Sequence, residues 1–338
     1  MNCCSNCFND TFLKTVIIQK SVGLGNCDFC QMQNINIISP EELNDDFQPL
    51  LDLYETTDEN GKSIAQLLKN DWVIFTSLDD EKTINLLESI FDMEFNGLFI
   101  SKQNEDESNI LNWQDFKTEL KHNNRYFPKN TPNYEHLAEL LPYNLLAYED
   151  IPQYLYRSRV NIDTAIISIT EMGKPPEKFS TAGRANPTGI PYLYTASNIK
   201  TAIAEIRPHK GDNVTVATFK TIEPLTLVDL RNPRETISPF KLDIDELNQI
   251  FINLNYLCHL GDELSKPILP REAHLEYLSS QYLCELIKYS GYDGVIYKSS
   301  VGDGDNYAIF SDDKLEAIET KVYSVDNVEI TSNLTDIP

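Results

Sequence analysis

The residues whose types could do chemistry fall into two sets. One is an ordered series in the second half of the chain: Arg184, Tyr194, Glu205 and Ser299. Its densest stretch is Gly183-Arg184-Ala185-Asn186-Pro187-Thr188-Gly189-Ile190-Pro191-Tyr192-Leu193-Tyr194. Gly183, Pro187 and Gly189 predict a tight, pre-shaped loop that delivers the chain into a strand. An arginine on such a loop suits a phosphate, because a guanidinium fork matches two phosphate oxygens. A surface salt bridge would use the same arginine. Glu205 belongs to Ser197-Asn198-Ile199-Lys200-Thr201-Ala202-Ile203-Ala204-Glu205-Ile206, a helix that Ser197 or Asn198 can cap. Ile199, Ala202, Ile203 and Ile206 form its buried stripe. At about 100° per residue, Glu205 falls roughly 120° from the centre of that stripe, on a flank that can line a cleft. Ser299 and Ser300 end a strand and precede a Gly/Asp loop, where serines are otherwise ordinary turn residues.

The second set is cysteine. Cys4 and Cys7 form one Cys-x-x-Cys pair, and Cys27 and Cys30 form another. Each such turn presents two thiolates to one ion, and two turns complete a tetrahedron. The expectation is a structural zinc on Cys4, Cys7, Cys27 and Cys30, with free or redox thiols as the competing reading. Filled by four sulfurs, the ion has no position left for a substrate. Cys3 adjoins Cys4 and could exchange with it as ligand. Cys258 and Cys284 sit in helical patterns and read as small buried apolar residues. No disulfide framework is suggested, which fits a reducing compartment.

Elements must position these side chains. Pro40 to Leu68 reads as helical, with Ser39 as N-cap, Phe47, Leu50, Leu51 and Tyr54 at helical spacing, and a second short helix from Lys62. Trp72 to Phe75 reads as a short strand. Glu81 to Ile90 and Trp113 to Leu120 read as helices, and 103–109 as a solvated loop. Leu155 to Val160 alternates like a strand, with Leu155, Arg157 and Arg159 on one face. Further strands are expected at 192–195, 215–219, 226–230, 295–297, 307–310 and 321–323. Two helical stripes surround Leu247–Leu257 and Leu275–Ile287, the latter ended by Gly291. Short strands without regular βα alternation predict an α+β fold. The expected organisation is an N-terminal accessory domain over 1–145, a catalytic domain over 150–325 and a flexible tail over 326–338.

The 338 residues carry a net charge of -24, so long-range repulsion argues against a nucleic-acid partner. A few arginines in a cleft still allow a small anionic substrate. At 41% apolar and 24% charged residues, the composition is that of an ordinary globular protein. No apolar window of about 20 residues exists, and no secretory signal is visible, so the expectation is a cytoplasmic protein without a membrane partner.

The order arginine, tyrosine, glutamate and then a serine at a Tyr-x-Ser strand end resembles the RES domain. The resemblance spans about 150–320. It includes Met172-Gly173-Lys174-Pro175-Pro176, Gly183-Arg184-Ala185-Asn186-Pro187, Tyr192-Leu193-Tyr194, Thr201-Ala202-Ile203-Ala204-Glu205-Ile206-Arg207-Pro208 and Gly291-Tyr292-Asp293-Gly294-Val295-Ile296-Tyr297-Lys298-Ser299-Ser300. The N-terminal half, with its cysteine pairs and Arg125-Tyr126-Phe127, is similar to the accessory domain found before some RES and HEPN domains.

The resemblance implies an ADP-ribosyltransferase-like mixed β core and a NAD⁺-degrading toxin or defence effector. It implies Arg184, Tyr194, Glu205 and Ser299 as catalytic residues, with Asn186 and either Arg157 or Arg159 binding substrate. Arg159 is preferred as the deeper in its strand, and Ser299 stands one register from Ser300. Arg184 is expected on the pyrophosphate, Tyr194 and Ser299 on the nicotinamide or ribose, and Glu205 opposite the developing ribose cation. NAD⁺ is then the substrate, and an antitoxin or regulatory protein is the implied partner. The reaction expected is glycohydrolysis or phosphorolysis of the nicotinamide–ribose bond. Transfer of ADP-ribose to a protein, or a non-catalytic binding module, are the competing classes.

Overall fold

The computed structural model describes residues 1–102, 107–162 and 166–329. Gln103 to Asp106 of the expected solvated loop, and the expected tail from 330 onward, lie outside them. The chain divides into two compact units, Met1–Leu111 with Asn232–Cys258, and Asn112–Arg231 with His259–Pro338. Residues 232–258 thus return to the first unit, an interleaving that a linear boundary does not express. No helix among the described residues is long and apolar enough to cross a membrane.

In the first unit, β1 (Cys3–Cys4), α1 (Thr11–Lys20), β2 (Gly23–Gly25) and β3 (Ile35–Ile38) come first, and the strands pair in the order β1-β3-β2. Then come α2 (Asn44–Leu51), β4 (Tyr54–Thr57), α3 (Ile64–Trp72), α4 (Asp80–Phe91) and β5 (Leu98–Ser101), with β4 antiparallel to β5. Asp10, Ser63 and Asp79 cap α1, α3 and α4, each accepting a backbone N–H from the first turn. Phe8, Phe47, Phe75 and Phe240 cluster in the core, with ring centroids 4.9–5.9 Å apart.

Two sequence expectations fail here. The helix expected through Tyr54 ends at Leu51, Tyr54 opens a strand, and Ser39 makes no side-chain capping bond. Trp72 to Phe75 is not a strand: α3 runs to Trp72 and Val73 ends it at φ 53°. Ile74 and Phe75 are fully buried. An apolar run that fills the core beyond a helix end has the composition of a buried strand, and periodicity alone does not separate the two.

The second unit is built on a seven-stranded sheet. Its helices and strands are α5 (Ser108–His122), α6 (Tyr134–Leu140), β6 (Tyr154–Val160), β7 (Leu193–Ala196), α7 (Ile199–Glu205), β8 (Asn213–Thr221) and β9 (Leu227–Asp229). After α8 (Pro233–Thr236) and the start of α9 (Ile244–Ser265) in the first unit, α10 (Ala273–Tyr289), β10 (Gly294–Lys298), β11 (Asp305–Ile309) and β12 (Leu315–Ser324) complete it. The strand order is β12-β8-β6-β7-β11-β10-β9, antiparallel except between β9 and β10. This mixed sheet with flanking helices is the α+β architecture expected.

Alternation along the strands separates two cores. Leu155, Leu193, Phe219, Ile296 and Ile309 belong to one. Val214 and Val216 belong to the other, where Tyr156, Ile199, Ile203 and Ile206 pack. The isoleucine stripe of α7 therefore docks on the sheet, each such side chain contributing about 1.5–3 kcal/mol on full burial. Docking leaves Glu205, at the end of α7, exposed on the flank.

Candidate active site

The site lies where the sheet parts. β6 pairs with β8 along its whole length but meets β7 only at Tyr156–Ala196. A cleft of about 240 Å³ opens between them. Arg157 and Ser158 of β6, Tyr194 and Thr195 of β7, Glu205 of α7 and Asn306 of β11 line it.

Glu205 is held through one oxygen. Ser299 Oγ and Asn306 Nδ2 each donate to its Oε1 at 2.6 Å. Ser299 Oγ in turn accepts the N–H groups of Val301 (3.2 Å) and Gly302 (3.0 Å), which leaves its proton for the carboxylate. Of the serine pair, Ser299 is the one that contacts Glu205. Asn198 caps α7 by accepting the N–H of Thr201 at 2.8 Å, so the helix that ends in Glu205 has a fixed start.

Across the cleft stands Arg157. Its Nη1 is buried with no hydrogen-bond partner among the described residues, and the same holds for Ser158 Oγ and Thr195 Oγ1. Burial, and after it the charge of Arg159, push the Arg157 pKa down to about 10, while Asp312 pulls it up. Each buried polar group left unpaired costs about 1–3 kcal/mol, which an anionic or hydroxyl-bearing ligand would offset. Arg159, the arginine preferred from the sequence, donates through Nη1 to the Glu171 carbonyl at 2.7 Å and is not among the residues that line the cleft. Both arginines share a strand face. Only Arg157 adjoins Tyr156, the one residue at which β6 still meets β7.

The loop before β7 satisfies itself. Asn186 Nδ2 donates to the carbonyls of Thr181, Pro187 and Ile190 at 2.8–3.1 Å, and its Oδ1 accepts from Tyr194 Oη at 2.7 Å. Tyr194 Oη also accepts the N–H of Ala185 at 2.9 Å. Gly183 is required by this arrangement, since a Cβ there would stand 2.5 Å from both Asn186 Oδ1 and Tyr194 Oη. Gln281 on α10 donates to the carbonyls of Gly183 and Asn186, pinning the loop from outside. Asn186, expected to bind substrate, is consumed by the loop and is absent from the cleft wall. The hydroxyl of Tyr194 is committed likewise, although the residue itself lines the cleft.

Arg184 also stands outside the cleft wall. Its Nη1 donates to the Lys266 carbonyl at 2.6 Å, and its guanidinium lies 5.5 Å from the centre of the Tyr277 ring. Its charge nevertheless reaches the site: burial and then Glu205 push the Tyr297 phenol up, and Arg184 acts in the opposite direction. Tyr297 itself lines the cleft.

Asn306 and Tyr297 were not singled out in the sequence. The signal for Asn306 was a polar residue opening the apolar run Tyr307-Ala308-Ile309, and it is 5% exposed. The chemistry available is a guanidinium whose buried Nη1 has no hydrogen-bond partner among the described residues, lining a cleft that also holds an oriented carboxylate. That pairing suits a substrate with an anionic part and a centre that becomes cationic.

In the first unit, the sulfurs of Cys4, Cys7, Cys27 and Cys30 lie within 4.8 Å of one another, with Cys4–Cys30 at 3.4 Å and Cys7–Cys27 at 3.3 Å. A tetrahedron with metal–sulfur bonds of about 2.3 Å has edges of roughly 3.8 Å, so this donor set fits one ion. Cys3 is buried but is not among the four.

A family profile described as the RES domain matches residues 155–331. Among solved structures, the crystal structure of the M. tuberculosis MbcT-MbcA toxin-antitoxin complex is similar at 12% identity. The match covers 56% of this chain and 93% of that one, with a TM-score of 0.34. No curated protein matches the chain.

Proposed function

The chain belongs to the RES domain family, and from that premise we propose that it cleaves the nicotinamide–ribose bond of NAD⁺, as a glycohydrolase or phosphorylase. The observation that carries this reading is Glu205, fixed through Oε1 by Ser299 and Asn306, in a cleft that also holds the unpartnered Nη1 of Arg157. As the bond to nicotinamide breaks, its electron pair leaves with the ring nitrogen and the ribose carbon becomes oxocarbenium-like. The Glu205 carboxylate faces that charge. Water, or phosphate, then bonds to the ribose carbon; with water, the products are ADP-ribose, nicotinamide and a proton. Arg157 grips the diphosphate. Arg184 has one of its five donors engaged and can add a second contact to the same group. The Tyr194 ring packs against the nicotinamide or ribose.

The test is incubation of purified protein with NAD⁺ while free nicotinamide is followed. Turnover that falls by about 10²–10³ in Glu205→Gln supports the reading. No release of nicotinamide by the folded native protein overturns it. An ADP-ribose or ADP-ribose-phosphate product then distinguishes water from phosphate.

We propose further that the four cysteines hold one zinc ion in a structural role. Structural zinc contributes about 10–16 kcal/mol at small sites, so Cys27→Ser is expected to unfold the N-terminal region. Metal analysis of protein purified without chelator should find stoichiometric zinc. Its absence would remove this assignment.

A further inference from the structure

The geometry points to Asn306 as a positioning residue that acts through Glu205: it fixes the carboxylate so that Oε2, not Oε1, meets the substrate. This rests on the NAD⁺-cleaving reading above.

A carboxylate has two oxygens, and here their environments differ. Oε1 takes both donors, Ser299 Oγ and Asn306 Nδ2, at 2.6 Å each. With Oε1 occupied, Oε2 is the oxygen left for the developing cation. Both bonds are charge-assisted, which makes them short and about twice as strong as neutral ones. They hold the rotamer of an otherwise exposed glutamate at the very end of a seven-residue helix.

The two donors are not equivalent. Ser299 lies beyond the end of β10, on the Ser299–Gly304 turn, and its orientation depends on two backbone N–H groups of that turn. Asn306 lies inside the sheet, registered against Ala196 on one side and Tyr297 on the other. The residue before it is tied down as well. Asp305 N–H donates to Ser197 Oγ at 3.0 Å, and Ser197 N–H donates to the Asp305 carbonyl at 2.9 Å. Arg231 Nη1 reaches Asp305 Oδ2 at 2.8 Å while its Nε engages the buried Asp229 at 2.9 Å. Asn306 is thus the donor with the rigid mount, and its Nδ2 is directed from a largely apolar strand to Glu205. A reacting group must be held within fractions of an ångström of its productive geometry, which a strand secures better than a turn.

The test compares native protein, Asn306→Ala and Asn306→Asp in nicotinamide release, with NAD⁺ affinity measured by calorimetry. Asn306→Asp keeps the shape and replaces the donor by an acceptor facing a carboxylate. Both variants should lower kcat by about 10–100-fold, the cost of one charge-assisted hydrogen bond, with KM and affinity within about twofold of native. Placed in a Glu205→Gln background, Asn306→Ala should cost less than about twofold more, because the residue acts only through the carboxylate. A purely structural role would lower the thermal midpoint and would cost as much in the Glu205→Gln background as in the native one; that result overturns the inference. So does native-like kcat in folded Asn306→Asp. If the native protein itself releases no nicotinamide, the parent reading fails and this one falls with it, an outcome distinct from an active native enzyme with an active Asn306 variant.

Discussion

Two neighbouring regions of the second unit use polar side chains in opposite ways. In the loop before β7, Asn186 and Tyr194 spend their polar atoms on the protein itself, and even the glycine at 183 serves that closure. A few residues away, in the cleft, Arg157 Nη1, Ser158 Oγ and Thr195 Oγ1 are buried and bonded to nothing among the described residues. A satisfied cluster stabilises and shapes. An unsatisfied one costs stability and is kept where a ligand completes it. The loop is therefore the mould and the cleft is the candidate site, although the sequence placed its densest motif in the loop.

The contrast is sharpest at Glu205. Glu205→Gln is nearly isosteric and should lower kcat by about 10²–10³ with KM nearly unchanged, since in the proposed reaction it faces charge present only in the transition state. Near-full nicotinamide release by the variant would remove Glu205 from the chemistry. Next comes Arg157→Ala, expected to weaken NAD⁺ binding by about 10–100-fold in calorimetry, as loss of a charge-assisted contact does. Its thermal midpoint should hold or rise, because a buried guanidinium with an unpaired Nη1 is deleted. A falling midpoint with unchanged affinity would make Arg157 structural and erase the distinction between the two regions.

The loop should show the reverse pattern. Asn186→Ala leaves several buried groups unpaired and should destabilise the protein by about 1–3 kcal/mol or more, read from denaturant unfolding. In the fraction that folds, turnover should stay within a few-fold of native; turnover lost without a change in stability would return Asn186 to the substrate. The smallest effect is expected at Arg159→Ala. That side chain donates one hydrogen bond to a backbone carbonyl outside the cleft, so stability should stay within about 0.5 kcal/mol and turnover within about twofold. A tenfold loss of NAD⁺ affinity there would reopen the choice between the two arginines.

Much of the frame was legible. The isoleucine stripe of α7 predicted its docking and the flank position of Glu205, because a 3.6-residue period fixes which side chains share a face. A cap at Ser197 or Asn198 and the doubled Cys-x-x-Cys were legible for the same reason, as local geometry follows from local spacing; the structure then selects Asn198. The alternation in β6 correctly paired Arg157 with Arg159 on one face, but alternation carries no information on where a neighbouring strand departs. Tyr54 and Val73 show the opposite failure, in which tertiary packing overrode a plausible local pattern.

By itself, then, the sequence determined the strands and helices with strong periodicity, the four-thiol cluster, and the order of the arginine, tyrosine, glutamate and serine along the chain. Only the tertiary structure decided which arginine lines the cleft, that one oxygen of Glu205 takes two donors, and that Asn306 supplies one of them. The reason is physical. Periodicity acts over a few residues, whereas Glu205 and Asn306 meet through a hydrogen bond that exists only after β11 has paired between β7 and β10.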